Sequence, residues 1–129
     1  MAGVVHFEIP TEDKERAHSF YQGAFGWTLR PMQEMDYTIA ITTPSDQQTG
    51  MPTSPGAING ALFGRSEDLK SPIITVDVEN IEEALGQIEN AGGSVVKGKE
   101  AVPGMGYYAY FKDTEGNTLG LWQTDNSAA

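Results

Sequence analysis

The sequence predicts an α+β fold of two tandem βαβββ modules, about residues 3–64 and 71–124, within a single domain. Three observations carry this. The segment from His6 to Leu29 slides onto Ile73 to Val96 without a gap, an offset of 67 residues. In that alignment Ala17 meets Ala84, Ala24 meets Ala91 and Gly26 meets Gly93, and the matches sit at helical spacing before each glycine. The runs that open the two copies, Phe7 to Ile9 and Ile74 to Val76, alternate as strands do. Repetition on this scale fixes architecture before any residue is given a role. It also points to a site between the copies.

In the first copy, residues 3–9 read as a strand, with Val5, Phe7 and Ile9 on one face and His6 and Glu8 on the other. Pro10 and Thr11 start a helix whose first turn is acidic (Glu12, Asp13, Glu15), the sign that suits a helix N-terminus. Ala17, Phe20, Tyr21 and Ala24 fall at i, i+3, i+4 and i+7 and predict its buried stripe. Gly26 ends it in a left-handed cap. In the second copy Ile74, Val76 and Val78 alternate with Ile73, Thr75 and Asp77. Asn80 and Glu83 have capping-box spacing, Ile81, Leu85 and Ile88 form the stripe, and Gly92-Gly93 stop the helix. Further strands are predicted at 27–31, 36–43, 57–63, 94–98, 106–112 and 117–123. Residues 44–56 hold three prolines and two glycines and read as a loop, either a lid or an irregular excursion. Residues 113–117 read as a tight turn.

The 129 residues suffice for one buried core. No apolar run approaches a membrane span, and no charged-then-apolar leader opens the chain. The absence of cysteine excludes disulfides and thiolate chemistry and fits a reducing cytoplasm. The net charge is -10. Acidic residues outnumber basic ones seven to four through Arg65 and eleven to four beyond it. No basic stripe exists to neutralise phosphates, so nucleic acid is not a predicted partner. An acidic surface favours cationic small molecules or simply solubility.

The two strand faces divide the residues by task. Val5, Phe7, Ile9, Ile74, Val76 and Val78 are predicted to pack beneath the helices. His6, Glu8, Thr75 and Asp77 then face the other way. Burying His6 and Glu8 unpartnered would cost several kcal/mol each. Either the pair lines a cavity, or each residue finds a hydrogen-bonding neighbour on a solvated face.

The sequence resembles the vicinal oxygen chelate superfamily of glyoxalase I, extradiol dioxygenases, fosfomycin-resistance enzymes and bleomycin-resistance proteins. The resemblance rests on His6-Phe7-Glu8-Ile9, then Glu15-Arg16-Ala17, Phe20-Tyr21 and Phe25-Gly26-Trp27. It continues with Ala91-Gly92-Gly93 and the run from Tyr110 through Gly116-Asn117 to Trp122, and is nearest to the small glyoxalase-like subgroup. It implies a curved, U-shaped mixed sheet around a cavity, helices outside, and a homodimer. In the superfamily's metal enzymes the ligands come from the first and last strands of each module. Those positions fall here on His6, Ile73, Gly60 and Gly120, and only His6 carries a donor atom. A divalent ion then needs Glu8 and Asp77 to rebuild a set with His6, and no cofactor is the primary expectation.

The remaining use of the cavity is binding. Gly60 and Gly120 would widen its floor, while Tyr108, Trp122 and their neighbours Tyr107 and Tyr110 either line it or pack as ordinary core. His6, Glu8 and Thr75 would supply the polar contacts, and Met51 and the 103–106 turn its rim. The predicted function is metal-independent binding of a small, cationic or aromatic organic ligand. The alternative is a divergent metal-dependent lyase, isomerase or dioxygenase in which His6 or Glu8 acts as general base.

Overall fold

The computed structural model describes all residues from Met1 to Ala129, with ten elements in two βαβββ copies. The first copy holds β1 (Val4–Thr11), α1 (Lys14–Phe25), β2 (Thr28–Pro31), β3 (Tyr37–Ile41) and β4 (Gly60–Gly64). The second holds β5 (Ile73–Asp77), α2 (Ile81–Asn90), β6 (Ser94–Val102), β7 (Gly106–Lys112) and β8 (Thr118–Thr124). The chain resolves into two compact units. One is His6–Pro72; the other is Ile73–Ala129 together with Met1–Val5, whose Gly3 carbonyl accepts the Asp77 amide at 2.8 Å.

In the unit His6–Pro72 the strands run β2-β3-β4-β1, with β1 and β4 parallel and the other pairs antiparallel. Register sorts the side chains. Phe7 pairs with Gly60, Glu8 with Ala61 and Ile9 with Leu62; Ala40 pairs with Gly60 and Leu29 with Ala40. One face therefore carries Phe7, Ile9, Leu62, Ala40 and Leu29, and the opposite face His6, Glu8, Ala61, Ile39 and Tyr37.

The helix of this unit departs from expectation at both ends of the argument. β1 continues through Thr11, and α1 starts only at Lys14, capped by Asp13, whose carboxylate accepts the Arg16 amide at 2.9 Å. Asp13 wins because an Asp side chain can satisfy an orphan N–H at a helix start, whereas Thr11 is already committed to the strand. Gly26 forms the predicted left-handed cap, with φ 69°. The predicted stripe is not buried: α1 has no buried residue, and Phe20 is 58% exposed. Rings tie the helix down instead. Phe7 lies 5.7 Å from Trp27, which stacks on Tyr21 at 4.9 Å and 5° and touches Phe25 at 5.7 Å. Offset aromatic pairs of this kind add roughly 0.5–1.5 kcal/mol each beyond area burial.

In the other unit the order is β5-β8-β7-β6, with β5 and β8 parallel. Here helical periodicity and packing agree. Asn80 caps α2 by accepting the Glu83 amide at 3.0 Å. Ile81 and Ala84 are buried against Ala109, Phe111 and Leu121, with Val76, Val78, Leu85 and Ile88 packed around them. Ile74 does not join this core and is 48% exposed. The stop glycines divide the work. Gly92 takes the positive φ of 102°, while a Cβ on Gly93 would press on the Lys112 carbonyl at 2.6 Å. Asp113 organises the predicted turn by accepting the Glu115 and Asn117 amides, both at 2.9 Å.

Gly60 offers a test of the register. A Cβ there would lie 2.6 Å from both δ-carbons of the Phe7 ring and would also meet the Phe7 carbonyl. Forcing a methyl into such a space costs about 1–3 kcal/mol. Gly60→Ala should lower the urea midpoint correspondingly with an unchanged denaturant slope. An unshifted midpoint would show that the Phe7 ring does not cover this position.

Candidate functional site

The alternation of β1 places His6 and Glu8 two residues apart on one face, and β3 brings a third group that the sequence reading missed. The Tyr37 hydroxyl donates to a Glu8 carboxylate oxygen at 2.5 Å and lies 2.8 Å from His6 Nε2. Tyr37 has one hydroxyl proton, and it goes to Glu8. His6 must therefore present Nε2–H to the phenolic oxygen, and in the neutral ring Nδ1 then keeps the lone pair. The three side chains form one hydrogen-bonded chain, His6 to Tyr37 to Glu8.

The site is dry enough for these bonds to matter. Glu8 is 5% exposed and pairs across the sheet with fully buried Ala61. Phe63 lies beside Tyr37, ring centroids 6.5 Å apart, and the His6 ring stacks on Tyr37 at the same distance and 15°. Burial lowers the His6 pKa from its ordinary 6.5, and the neighbouring Glu8 carboxylate opposes that shift. Both influences act on His6, and burial is the stronger, so the neutral imidazole is the favoured form.

Gly60 lies elsewhere. Its pairing with Phe7 puts it on the opposite face from His6 and Glu8, and the Phe7 ring occupies the space a Cβ would fill. The expectation that Gly60 widens the floor beside His6 is therefore corrected: Ala61 holds that place. The sequence misassigned it because a one-residue slip in a strand inverts the face.

Four of the other predicted residues share one face of the unit Ile73–Ala129. Thr75 pairs with Gly120, Gly120 with Tyr110, and Trp122 with Tyr108. Gly120 opens no space either. A Cβ there would lie 2.9 Å from Thr75 Oγ1 and 3.5 Å from the Tyr110 ring, so its neighbours already fill the gap. Tyr110 is buried and meets Tyr108 edge-on at 5.9 Å. Lys97 lies over the Tyr108 ring at 5.3 Å, and Trp122 Nε1 donates to Thr124 at 3.0 Å. Asp77, Met51 and Met105 are exposed.

On the His6 face the imidazole and carboxylate donors are those of His6 and Glu8, and the Tyr37 bonds engage His6 Nε2 and one Glu8 oxygen. No group of three or more His, Asp or Glu side chains is placed to hold an ion, whereas sites of this kind take three protein ligands.

Residues 44–56 are tied down as well. Asn59 donates to Ser45 at 2.7 Å, Thr42 donates to the Ile58 carbonyl at 2.6 Å, and Ser45 bridges to Pro52. These bonds join the start of the loop to the ends of the flanking strands. With β2 and β3 the loop encloses a groove of ≈ 340 Å³.

The His6 protonation state predicts a pH effect. The unfolded imidazole takes up a proton as the pH falls through 6.5, while the folded one resists. The unfolded state then binds more protons, so stability is full above that pH and falls below it. His6→Gln keeps an N–H donor for Tyr37 but cannot titrate. The melting-temperature advantage of the unmodified protein over this variant should shrink from about pH 7 to pH 5. A constant difference would show that His6 titrates normally. Comparison with the variant cancels His18, the other histidine.

Comparison with known proteins follows the same outline. Residues 4–43 match the family model described as bleomycin resistance protein-like N-terminal. No curated protein matches the chain in sequence. A hypothetical protein from Bacillus halodurans superposes with a TM-score of 0.61 at 16% identity, covering 99% of this chain and 98% of its own. A variant of Streptomyces coelicolor methylmalonyl-CoA epimerase in complex with 2-nitronate-propionyl-CoA gives 0.62 at 14% identity, covering 100% and 99%. A glyoxalase/bleomycin resistance protein/dioxygenase superfamily member from Vibrio splendidus gives 0.61 at 15% identity, covering 95% and 99%. The early strands match in sequence and the whole chain matches in structure, and the protein has the vicinal oxygen chelate fold.

Proposed function

We propose that the protein binds a small organic molecule on the His6–Tyr37–Glu8 face and does so without a resident metal ion. The observation that carries this is the hydrogen-bonded trio itself, three polar side chains held on a largely apolar sheet face. A ligand site of this type is mostly apolar with a few oriented polar groups. Tyr37 and Phe63 offer rings, the Glu8 carboxylate and the chain's net charge of -10 favour a cation, and the His6 Nδ1 lone pair can accept a hydrogen bond. The match of residues 4–43 to a bleomycin-resistance-like model supports a binder of aromatic or cationic compounds.

Bleomycin and a panel of small aromatic amines are the probes. A ligand at a hundred times its Kd adds about 2.7 kcal/mol of stability, enough to raise the melting temperature by several degrees. Tyr37→Phe and Glu8→Gln should each weaken binding measured by calorimetry well below their own melting temperatures. The reading is wrong if none of these compounds stabilises the protein, or if both variants bind as tightly as the original.

A second reading is a lyase or isomerase, including a divergent metal-dependent one, and the linkage of His6 to Glu8 through one hydroxyl favours it. Two acid–base groups joined in this way can hold and pass a proton. The structural likeness to an epimerase complex makes methylmalonyl-CoA the probe, with wash-in of solvent deuterium as readout, alone and with Zn²⁺, Ni²⁺, Mn²⁺ or Fe²⁺. Exchange that His6→Gln or Glu8→Gln abolishes would establish the reading. No exchange under any of these conditions would remove it.

The absence of cysteine and of any helix long and apolar enough to cross a membrane suits a cytoplasmic protein, and the acidic surface gives nucleic acid no purchase. The uncovered rings of Phe20 and Phe25 support a homodimer closed through α1. Sedimentation should then give twice 13.9 kDa, reverting to the single mass in Phe20→Ser/Phe25→Ser. A native chain that sediments as a monomer at micromolar concentration refutes the dimer.

A further inference from the structure

The groove between the β2–β3 edge and the 42–50 loop opens on the same sheet face as the trio, but different charged residues line it. Its volume of ≈ 340 Å³ is at the small end of the range for organic ligands. Arg30 and Asp46 both line it, yet they form no ion pair with each other or with any other side chain. The contrast with Arg65, which reaches Glu12 at 2.9 Å, is informative. Arg30 stands on β2 opposite Ile39, on the same sheet face as Thr28 and Ile41, and these two also line the groove.

The two charges are held differently. Asp46 is rigid. Its Oδ1 accepts the amides of Gln48 at 2.8 Å and Thr49 at 2.9 Å, and its own backbone accepts from Gly50 and donates to Met51, both at 2.8 Å. The Thr49 and Gln48 amide bonds, with a contribution from the Thr49 side chain, hold the Asp46 carboxyl below the usual carboxylate range, and both amides fall on Oδ1 rather than Oδ2. Arg30 is exposed at the tip of a long side chain and can adjust. The loop that presents Asp46 is anchored through Ser45 to Asn59, so one charge is fixed and the other can swing towards a guest.

A pure anion would gain Arg30 but face Asp46 and a chain of net charge -10. A pure cation would gain Asp46 but face Arg30. A molecule carrying both charges satisfies both walls and brings no net charge into the field. We propose that this groove is a binding site for small zwitterions, with the ligand's carboxylate on Arg30 and its ammonium on Asp46.

Glycine, γ-aminobutyrate and ε-aminohexanoate vary the charge separation and serve as probes, with butyrate and butylammonium as single-charge controls. Titration would be followed by amide chemical shifts. One member of the zwitterion series should move the amides of residues 42–50 saturably, while either control alone moves them at least about tenfold more weakly, as the loss of one charge-assisted contact implies. Arg30→Gln and Asp46→Asn should each cost about tenfold in affinity. Asn keeps an oxygen for the Gln48 and Thr49 amides, so the loop is preserved, and unchanged shifts outside 42–50 would verify this. Failure of every zwitterion to move these amides overturns the proposal. So does a control that binds as well as the zwitterions, or a response centred on His6, Glu8 and Tyr37. Bleomycin binding at the trio is read from different residues, so either proposal can fail alone.

Discussion

Burying Glu8 is the constraint that organises the unit around it. A carboxylate that is 5% exposed is tolerable only if donors meet it, since an unpartnered buried charge costs far more than a hydrogen bond returns. Tyr37 supplies a donor across β4, and to do so β3 must lie antiparallel to β4 in the register that pairs Tyr37 with Phe63. That same register sends Thr38 and Ala40 to the other face, where they pack with Leu62. The polar trio and the apolar face are thus one decision seen from two sides. Burial also disfavours the imidazolium of His6, although the Glu8 carboxylate beside it opposes that shift.

Much of the architecture was legible because repetition, glycine stops and capping residues are local signals. Gly26, Asn80 with Glu83, and the 113–117 turn act as the spacing predicts. Packing was legible only where one helix covers its own sheet. Ile81 and Ala84 obey the helical stripe, but Phe20 and Ala24 carry the same periodicity and remain uncovered, since periodicity says which side chains share a face and not whether anything meets that face. Tyr37 was missed for a related reason. It lies outside the aligned repeat, and its partnership with Glu8 depends on a register between strands 29 residues apart. Its alternation with Ile39 and Ile41 was the available signal, a lone polar tip on an otherwise apolar strand face. Gly60 illustrates the opposite error, in which the right strand was named and the face was inverted by one residue.

The two copies have also specialised at the level of chemistry. Where the first places His6 and Glu8, the second places Ile73 and Thr75, and the Thr75 hydroxyl fills the space a Cβ on Gly120 would need. Its neighbours Tyr110, Tyr108 and Trp122 make a ring-rich surface with Lys97 lying over it. The buried His–Glu pairing is found in one copy only. Duplicated modules relieved of identical duties can diverge in this way while the strand order that each needs is kept.

The manner in which α1 is held has a consequence in time. A helix with a buried stripe can leave its sheet only when the core itself opens, but α1 is kept in place by Trp27 and the rings stacked around it. Segments with few buried contacts are the ones that open on their own, by excursions that leave the rest of the molecule folded. The amides of α1 should thus exchange with solvent through a process separate from global unfolding, whereas those of α2 share the fate of β7 and β8. In a symmetric sequence the two helices would then keep different clocks.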